Sequence, residues 1–556
     1  MHLLFKKLMM RKHADKIIIF LSLFCFLSVQ VNAQIDSTRR QTIEITSSYK
    51  PELRNTVKIN LYASPITPDT SRPRLAYNIP PQNLFFSYQP VSLKPLSLQA
   101  DTALHLGNRR QVKVGFGNLT TPYLSGAFSF GDGKKNLLNV YGDYISSRGE
   151  IENQDFSEIN LKGMGSIFTA QNETYAGVSF AQHEYYQYGD TLHTYEKPDI
   201  RRSYQDLSAT IGYRNIAVND LNINYNPHLE VHAFSRENKA SESTLILNLP
   251  VEKKFGESVS VKVTALGNFN QYQIKNSNLI LKNNLFQIAP EFIYYSDRFN
   301  FHGGATPSWD NSTLAILPNV YAEAQLQRNV LVIQAVWVGR YIANSFRTLS
   351  GENPYMQDSV FLKNTKEIQY YGGIKATISK HFNFNAKAAY ISYKDMPLFI
   401  NDNFINDNFD GKTFIVSNES SLKNLQIHGD MNFISQDKFT LTAGLDLNTY
   451  AGLKDNSKAW GLYPLKLNGS FRWNAFEQLL IKGDLSAFSG AKALLLNGDE
   501  KNMKGGTDLS AGAEFKINKQ FSAWLDFNNV LNSKYERWNN YPVYGFQVIG
   551  GIIVRF

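Results

Sequence analysis

From about residue 110 onward the chain repeats one pattern, in segments of about 10–14 residues where apolar and polar side chains alternate. Leu509, Ala511, Ala513, Phe515 and Ile517 interleave with Asp508, Ser510, Gly512, Glu514 and Lys516. Phe439, Leu441, Ala443, Leu445 and Leu447 alternate with Thr440, Thr442, Gly444, Asp446 and Asn448, and Leu425, Ile427, Gly429, Met431 and Phe433 with Gln426, His428, Asp430 and Asn432. A period of two puts each set on one face of a strand. Short turns such as GDGKKN (131–136), FGES (255–258) and NKQ (518–520) alternate with mostly longer, polar loops such as 188–203, 346–366, 394–424, 489–505 and 532–543. Short turns on one side and long loops on the other mark an outer-membrane barrel, because in lipid only a closed sheet satisfies its backbone groups. The expected fold class is all-β: a transmembrane antiparallel β-barrel of about 22 strands, with short periplasmic turns and longer extracellular loops. The even count holds if KTFIVS (412–417) is kept inside the 394–424 loop.

Aromatic residues make up 13% of the chain and recur at strand ends, where Phe382, Phe439 and Phe521 each follow a short turn. That is the position of a membrane-interface girdle. A soluble sandwich or propeller would use strands of about 5–6 residues and carry no such girdle. A mean hydropathy of −0.31 excludes a bundle of membrane helices.

The chain divides into three parts. Residues 1–33 read as a signal peptide, with Lys6, Lys7, Arg11, Lys12 and Lys16 before the apolar run IIIFLSLFCFLSV and VNA before Gln34; Met9 and Met10 are alternative starts. Residues 34–105 are proline-rich, with no sustained apolar period, and read as an extended periplasmic or lumenal segment. Residues 106–556 form the barrel. The one cysteine, Cys25, falls in the signal, which excludes a disulfide framework and thiol chemistry in the mature chain. Loss of the signal lowers the formal net charge from +9 to +5 with no basic stripe, so no nucleic-acid partner is expected.

The last 33 residues, WLDFNNVLNSKYERWNNYPVYGFQVIGGIIVRF, carry a resemblance. Asn529, Val530, Leu531, Asn532 and Tyr535, then Tyr541, Pro542 and Gly545, resemble the C-terminus of TonB-dependent outer-membrane receptors. Phe546 departs from that family's usual Gly-Arg. The family's barrel has 22 strands. QTIEITSS (41–48) is similar to a TonB box through Thr42, Ile43, Glu44, Ile45 and Thr46, a segment that would add a strand to a partner's sheet edge. The family's globular plug has no counterpart in the roughly 65 residues between that segment and the first strand. The resemblance is therefore to a plugless relative of Bacteroidetes type, and it leaves TonB-driven transport open. It also implies that Phe546, Val548, Ile552, Val554 and the terminal Phe556, on one lipid-facing side of the last strand, form the signal read by the barrel assembly machinery.

Other constellations are weaker. His228, Glu230 and His232 share a face, but on a strand the two histidines stand about 13 Å apart and cannot share an ion. Asn406, Asn408 and Asp410 follow the first half of a calcium loop, but position twelve is Ser417, not Glu. No phosphate loop or G-x-S-x-G elbow occurs, so no enzyme and no cofactor are expected. Lumenal Lys482, Lys516, Asp484, Asp508 and Glu514 mix both signs. The reading is a Gram-negative outer-membrane barrel taking part in uptake or passage of a solute. The alternatives are a non-transporting, partner-binding barrel in an outer-membrane complex, and a passive porin-like channel. Expected partners are outer-membrane lipid, the assembly machinery, and either TonB or a periplasmic or lipoprotein subunit.

Overall fold

The computed structural model describes residues 110–556 except 190–195, 276, 278, 328–329, 380, 403–411, 436–437 and 496. Residues 1–33, read from the sequence as a signal, the proline-rich segment with residues 42–46, and Asn406, Asn408 and Asp410 lie outside the described residues.

One closed antiparallel sheet takes in 23 strand segments. Ile223–Tyr225 and His228–Arg236 both pair with Ala240–Phe255, so they are two halves of one wall strand. The break falls at Asn226-Pro227, where proline has no N–H to give the ladder. The wall therefore has 22 strands. It closes where the first strand, Gln111–Gly117, pairs with the last, Gln547–Arg555.

Among the described residues three hairpins stand outside the wall: Met396–Asn401 with Phe414–Glu419, Lys492–Leu494 with Glu500–Asn502, and Glu536–Trp538 with Tyr541–Pro542. KTFIVS thus contributes a strand, but a loop strand, and the even count survives. Wall strands range from the 7 residues of Gln111–Gly117 to the 16 of Ala240–Phe255, a wider spread than the alternation alone suggests.

The alternation sorts side chains inside out. On Leu422–Ser435, Leu425 and Ile427 are 54% and 50% exposed, whereas Asn424 and His428 are 3% exposed. The apolar set faces lipid and the polar set faces the lumen. Lumenal charges pair across strands: Lys375 with Glu323 at 2.7 Å, Arg340 with Glu367 at 3.0 Å, Arg555 with Glu514 at 2.6 Å, and Lys482 with Asp526 at 3.2 Å. His232 lies between Asp206 and Glu230, and His428 between Asp446 and Asp430. His228 instead faces the Asn226 carbonyl, so the sequence pair of histidines does not converge.

The closing seam is built on glycine. Trp524, on Phe521–Asn528, lies across the last strand and donates its indole N–H to the Val114 carbonyl of the first, at 3.1 Å. A Cβ on Gly115 would fall 2.4 Å from that indole, and one on Gly551 would fall 1.9 Å from the Val114 oxygen. Lys113 sits 3.7 Å over the indole and also reaches Asp526. Above this, Asn118 extends the short first strand with its side chain, accepting from Val548 N–H and donating to the Phe546 carbonyl. Gln547, fully buried, donates to Thr121 and Ser147 and accepts from Asn528. At the other end Arg110 and Phe556 exchange both backbone hydrogen bonds.

Candidate functional site

The sequence suggests long loops that are polar and solvated. The structure corrects this: segments 343–364, 395–402, 412–421 and 529–546 fold inward and share one buried cluster with lumen-facing wall residues. Tyr204, Phe234 and Tyr272 supply the wall. Phe346, Leu349, Tyr355, Met356, Phe399, Phe414, Trp538 and Tyr541 supply the loops. Together they make a packed cap over the long-loop mouth.

The cap starts from a short helix, α1 (Phe346–Glu352). Ser345 and Thr348 form a reciprocal capping box at its start. Glu242 of the wall adds a carboxylate there, accepting from the N–H groups of Phe346 and Arg347 at 2.5 and 3.3 Å. Phe346 then packs on Tyr272, with ring centroids 4.7 Å apart.

The chain after α1 has no regular ladder, and its buried carbonyls need donors. The wall provides them. Tyr204 donates to Pro354, Arg202 to Met356 and Tyr272 to Asp358, at 2.6, 3.1 and 2.5 Å. The other loops use the same device: Tyr188 donates to Pro542, Tyr541 to Lys412 and Tyr544 to Gln154, each at 2.6 Å. The Lys412 ammonium donates to the Tyr188 and Asn540 carbonyls. Burial pushes the Tyr188, Tyr355, Tyr541 and Tyr544 hydroxyls upward, so they stay neutral donors.

Aromatic stacking joins the loops. Tyr355 stacks on Tyr541 at 3.6 Å, and Trp538 meets Phe399 and Phe414 edge-on or tilted at 5.1 and 5.5 Å. Arg537 lies 4.0 Å over the Trp538 ring, donates to the Gly461 carbonyl and stands 4.0 Å from Glu352.

Two carboxylates give the cap a pH response. Desolvation raises Glu352 to about 7, against the pull of Arg537 and Lys466. The folded cap therefore holds this proton more tightly than the unfolded chain does, and stability falls as pH rises from about 4.5 to 7. Protection against amide exchange across 346–358, taken relative to the intrinsic base-catalysed rate at each pH, is expected to fall from about pH 5.5 to 8, and Glu352→Gln should flatten that fall.

Glu419 behaves oppositely. Desolvation pushes its carboxyl up, but hydrogen bonds from Lys454, Asp455 and Ser421 N–H and from Asn456 outweigh this and hold it low. Its contribution is present above the unfolded value of about 4.5 and is lost as pH falls through the folded one. Glu419→Ala removes an acceptor of several charge-assisted bonds. Exchange at 454–456 is expected to rise about tenfold or more at pH 7.

The C-terminal residues picked from the sequence lie at the seam. Ile552 and Phe556 are exposed toward lipid, and Val548 and Val554 share their face. Phe546 precedes the strand, because its N–H is taken by the Asn532 side chain. The resemblance residues act as staples for the last loop. Asn529 and Asn532 adopt left-handed φ values of 46° and 47°, Asn529 donates to Tyr544 and Ser533, and Tyr535 donates to Asp508. Among the described residues no group of three His, Cys, Asp or Glu side chains is placed to hold a metal.

No protein-family model matches the chain, and no curated protein does. Solved structures do match it. The FrpB iron transporter from Neisseria meningitidis aligns with a TM-score of 0.63 at 12% identity, over 81% of this chain and 82% of that one. A ferric enterobactin receptor, PfeA, aligns at 0.61 and 11% identity, over 81% of each chain. The pyoverdine outer membrane receptor FpvA from Pseudomonas aeruginosa aligns at 0.60 and 10% identity, over 80% of this chain and 78% of that one. At these identities the likeness is one of fold: this chain folds as the closed barrel of such outer-membrane receptors and transporters.

Proposed function

We propose that this protein is an outer-membrane barrel taking part in uptake or passage of a solute, with the loop-built cap as its outer gate. The observation that carries this is the cap, in which loops that could project into solvent are packed into the mouth. A permanently open porin has no use for such a closure. The lumen below it keeps a charged, cross-braced lining suited to a hydrated path. The fold neighbours described as an iron transporter and as ferric enterobactin and pyoverdine receptors support the same class. In this reading residues 34–105 lie in the periplasm or occupy the lumen, and Phe556 with the lipid-facing residues before it serves recognition by the assembly machinery.

Energised transport rests on residues 42–46. A photocrosslinker at Ile43 or Ile45 is expected to capture TonB, and a Thr42→Pro/Ile45→Pro variant should lose both the adduct and uptake. If no adduct forms and a deletion strain takes up solutes normally, energised transport is excluded.

A second reading, a partner-binding barrel without transport, draws on the depth of packing: Tyr355, Arg537, Trp538 and Tyr541 are each 2% exposed or less. Purification from native membranes separates the two. A stoichiometric periplasmic or lipoprotein subunit, together with zero conductance in cap-loosened variants, favours the scaffold.

A further inference from the structure

Three lysines stand on the outward face of three neighbouring wall strands, at the long-loop rim. Lys366, on Thr365–Ser379, lies directly opposite Lys394, on Phe382–Lys394. Lys423, on Leu422–Ser435, lies opposite Ser392, two residues from Lys394. All three share the face of Tyr370, Tyr390 and Leu425, which are exposed to lipid. Like charges set directly across a sheet repel. Among the described residues no carboxylate comes within ion-pair distance of any of the three: Asp395 is engaged by Lys363 at 2.9 Å, and Asp310, which bears on Lys394 only at longer range, accepts from Asn364 and Asn311.

Beneath the lysines the same face changes character. Trp337, Tyr370 and Tyr390 are register partners and form one aromatic row. The next row, Ala335, Gly372 and Ala388, is also in register and almost without side chains. The step between the rows leaves a lipid-facing groove of about 550 Å³, walled by Trp337, Tyr370, Tyr390 and Leu425. From Tyr390 to Lys394 is about 13 Å along the strand, or about 10 Å along the membrane normal at the usual tilt. With the aromatic row at the edge of the hydrocarbon, the ammonium groups reach headgroup height.

We propose that this surface binds one phosphate-bearing lipid of the outer leaflet, its phosphates held by Lys366, Lys394 and Lys423 and an acyl chain laid in the groove over Gly372 and Ala388. A polyanionic headgroup removes the repulsion that the register builds in, and the groove gives the chain a place that a uniformly bulky wall would deny it. The site lies outside the barrel and does not depend on what crosses the lumen.

The test uses the full-length protein in phosphatidylcholine nanodiscs, titrated with lipid A carrying its phosphates and followed by native mass spectrometry. One lipid is expected per barrel. Lys366→Gln/Lys394→Gln/Lys423→Gln should weaken binding about tenfold or more, whereas the triple Lys→Arg variant keeps it. Gly372→Leu, which leaves the lysines in place and fills the groove, should also weaken binding. Heat-modifiable mobility confirms that each variant is folded. The proposal is overturned if dephosphorylated lipid A binds equally well, if the triple Gln variant binds like the parent, or if inorganic phosphate alone displaces the lipid.

Discussion

Gly551→Leu is expected to abolish barrel closure, with heat-modifiable, membrane-inserted protein falling more than about tenfold. The reason is geometric. A Cβ at this position would lie 1.9 Å from the Val114 carbonyl oxygen and 2.6 Å from the Gly115 Cα, both backbone atoms with no rotamer to yield. The strand would have to move away from its partner, giving up the ladder from Gln111↔Arg555 to Gly117↔Ile549. Trp524→Ala tests the same seam from the other side. It removes the indole that bridges to the first strand and should destabilise the wall by about 3–5 kcal/mol, the usual range for deleting a packed aromatic. Gly372→Ala is the matched control: a Cβ there meets nothing closer than 3.9 Å, and folding should be unchanged. Gel mobility with and without heating reads all three.

The second large effect concerns the gate. Tyr355 and Tyr541 stack at 3.6 Å, and Tyr541 also donates to Lys412, so Tyr355→Ala/Tyr541→Ala removes both a stack and a carbonyl partner at the centre of the cap. Each truncation is expected to cost about 3–5 kcal/mol locally, more than a loop cluster of this kind can absorb. In planar bilayers the parent should conduct little, and the double variant, combined with deletion of 34–105, should open frequently to large conductance. Cells carrying it should become sensitive to hydrophilic antibiotics too large for ordinary porins. A closed double variant lacking 34–105 would refute the gate.

The sequence made the wall legible because a membrane barrel repeats one rule on every strand. Leu425, Ile427 and Met431 against Gln426, His428 and Asp430 suffice to set the face, and the turn spacing sets the count. KTFIVS leaves the even count intact, since its strand pairs with Met396–Asn401 and not with the wall. The cap was not legible, because its residues obey no period. Tyr355, Met356, Trp538 and Tyr541 sit among Asn, Pro and charged neighbours, and only tertiary contacts over hundreds of residues bury them. The clue available was compositional, since PYM and RWNNYPVYGF are too aromatic for solvated loops. The seam glycines fell between these cases. The last strand carries Gly550 and Gly551 side by side, but the reason for Gly551, the Val114–Gly115 backbone pressed against it, lies in the first strand at the other end of the barrel sequence.

The cap also constrains the order of assembly. Its hydrogen bonds join the two ends of the described chain: Gln154 donates to the Pro542 carbonyl 388 residues later, and Tyr188 reaches the same carbonyl across 354 residues. Contacts of that span form late, after the loops of chain between them have been closed. A barrel stalled before its last strand docks cannot bring Pro542 to Gln154, so it has a wall with no lid. Completion of the lid thus reports completion of the wall. A quality-control protease that senses exposed Trp538 and Tyr541 would distinguish finished barrels from unfinished ones without inspecting the membrane-embedded seam at all.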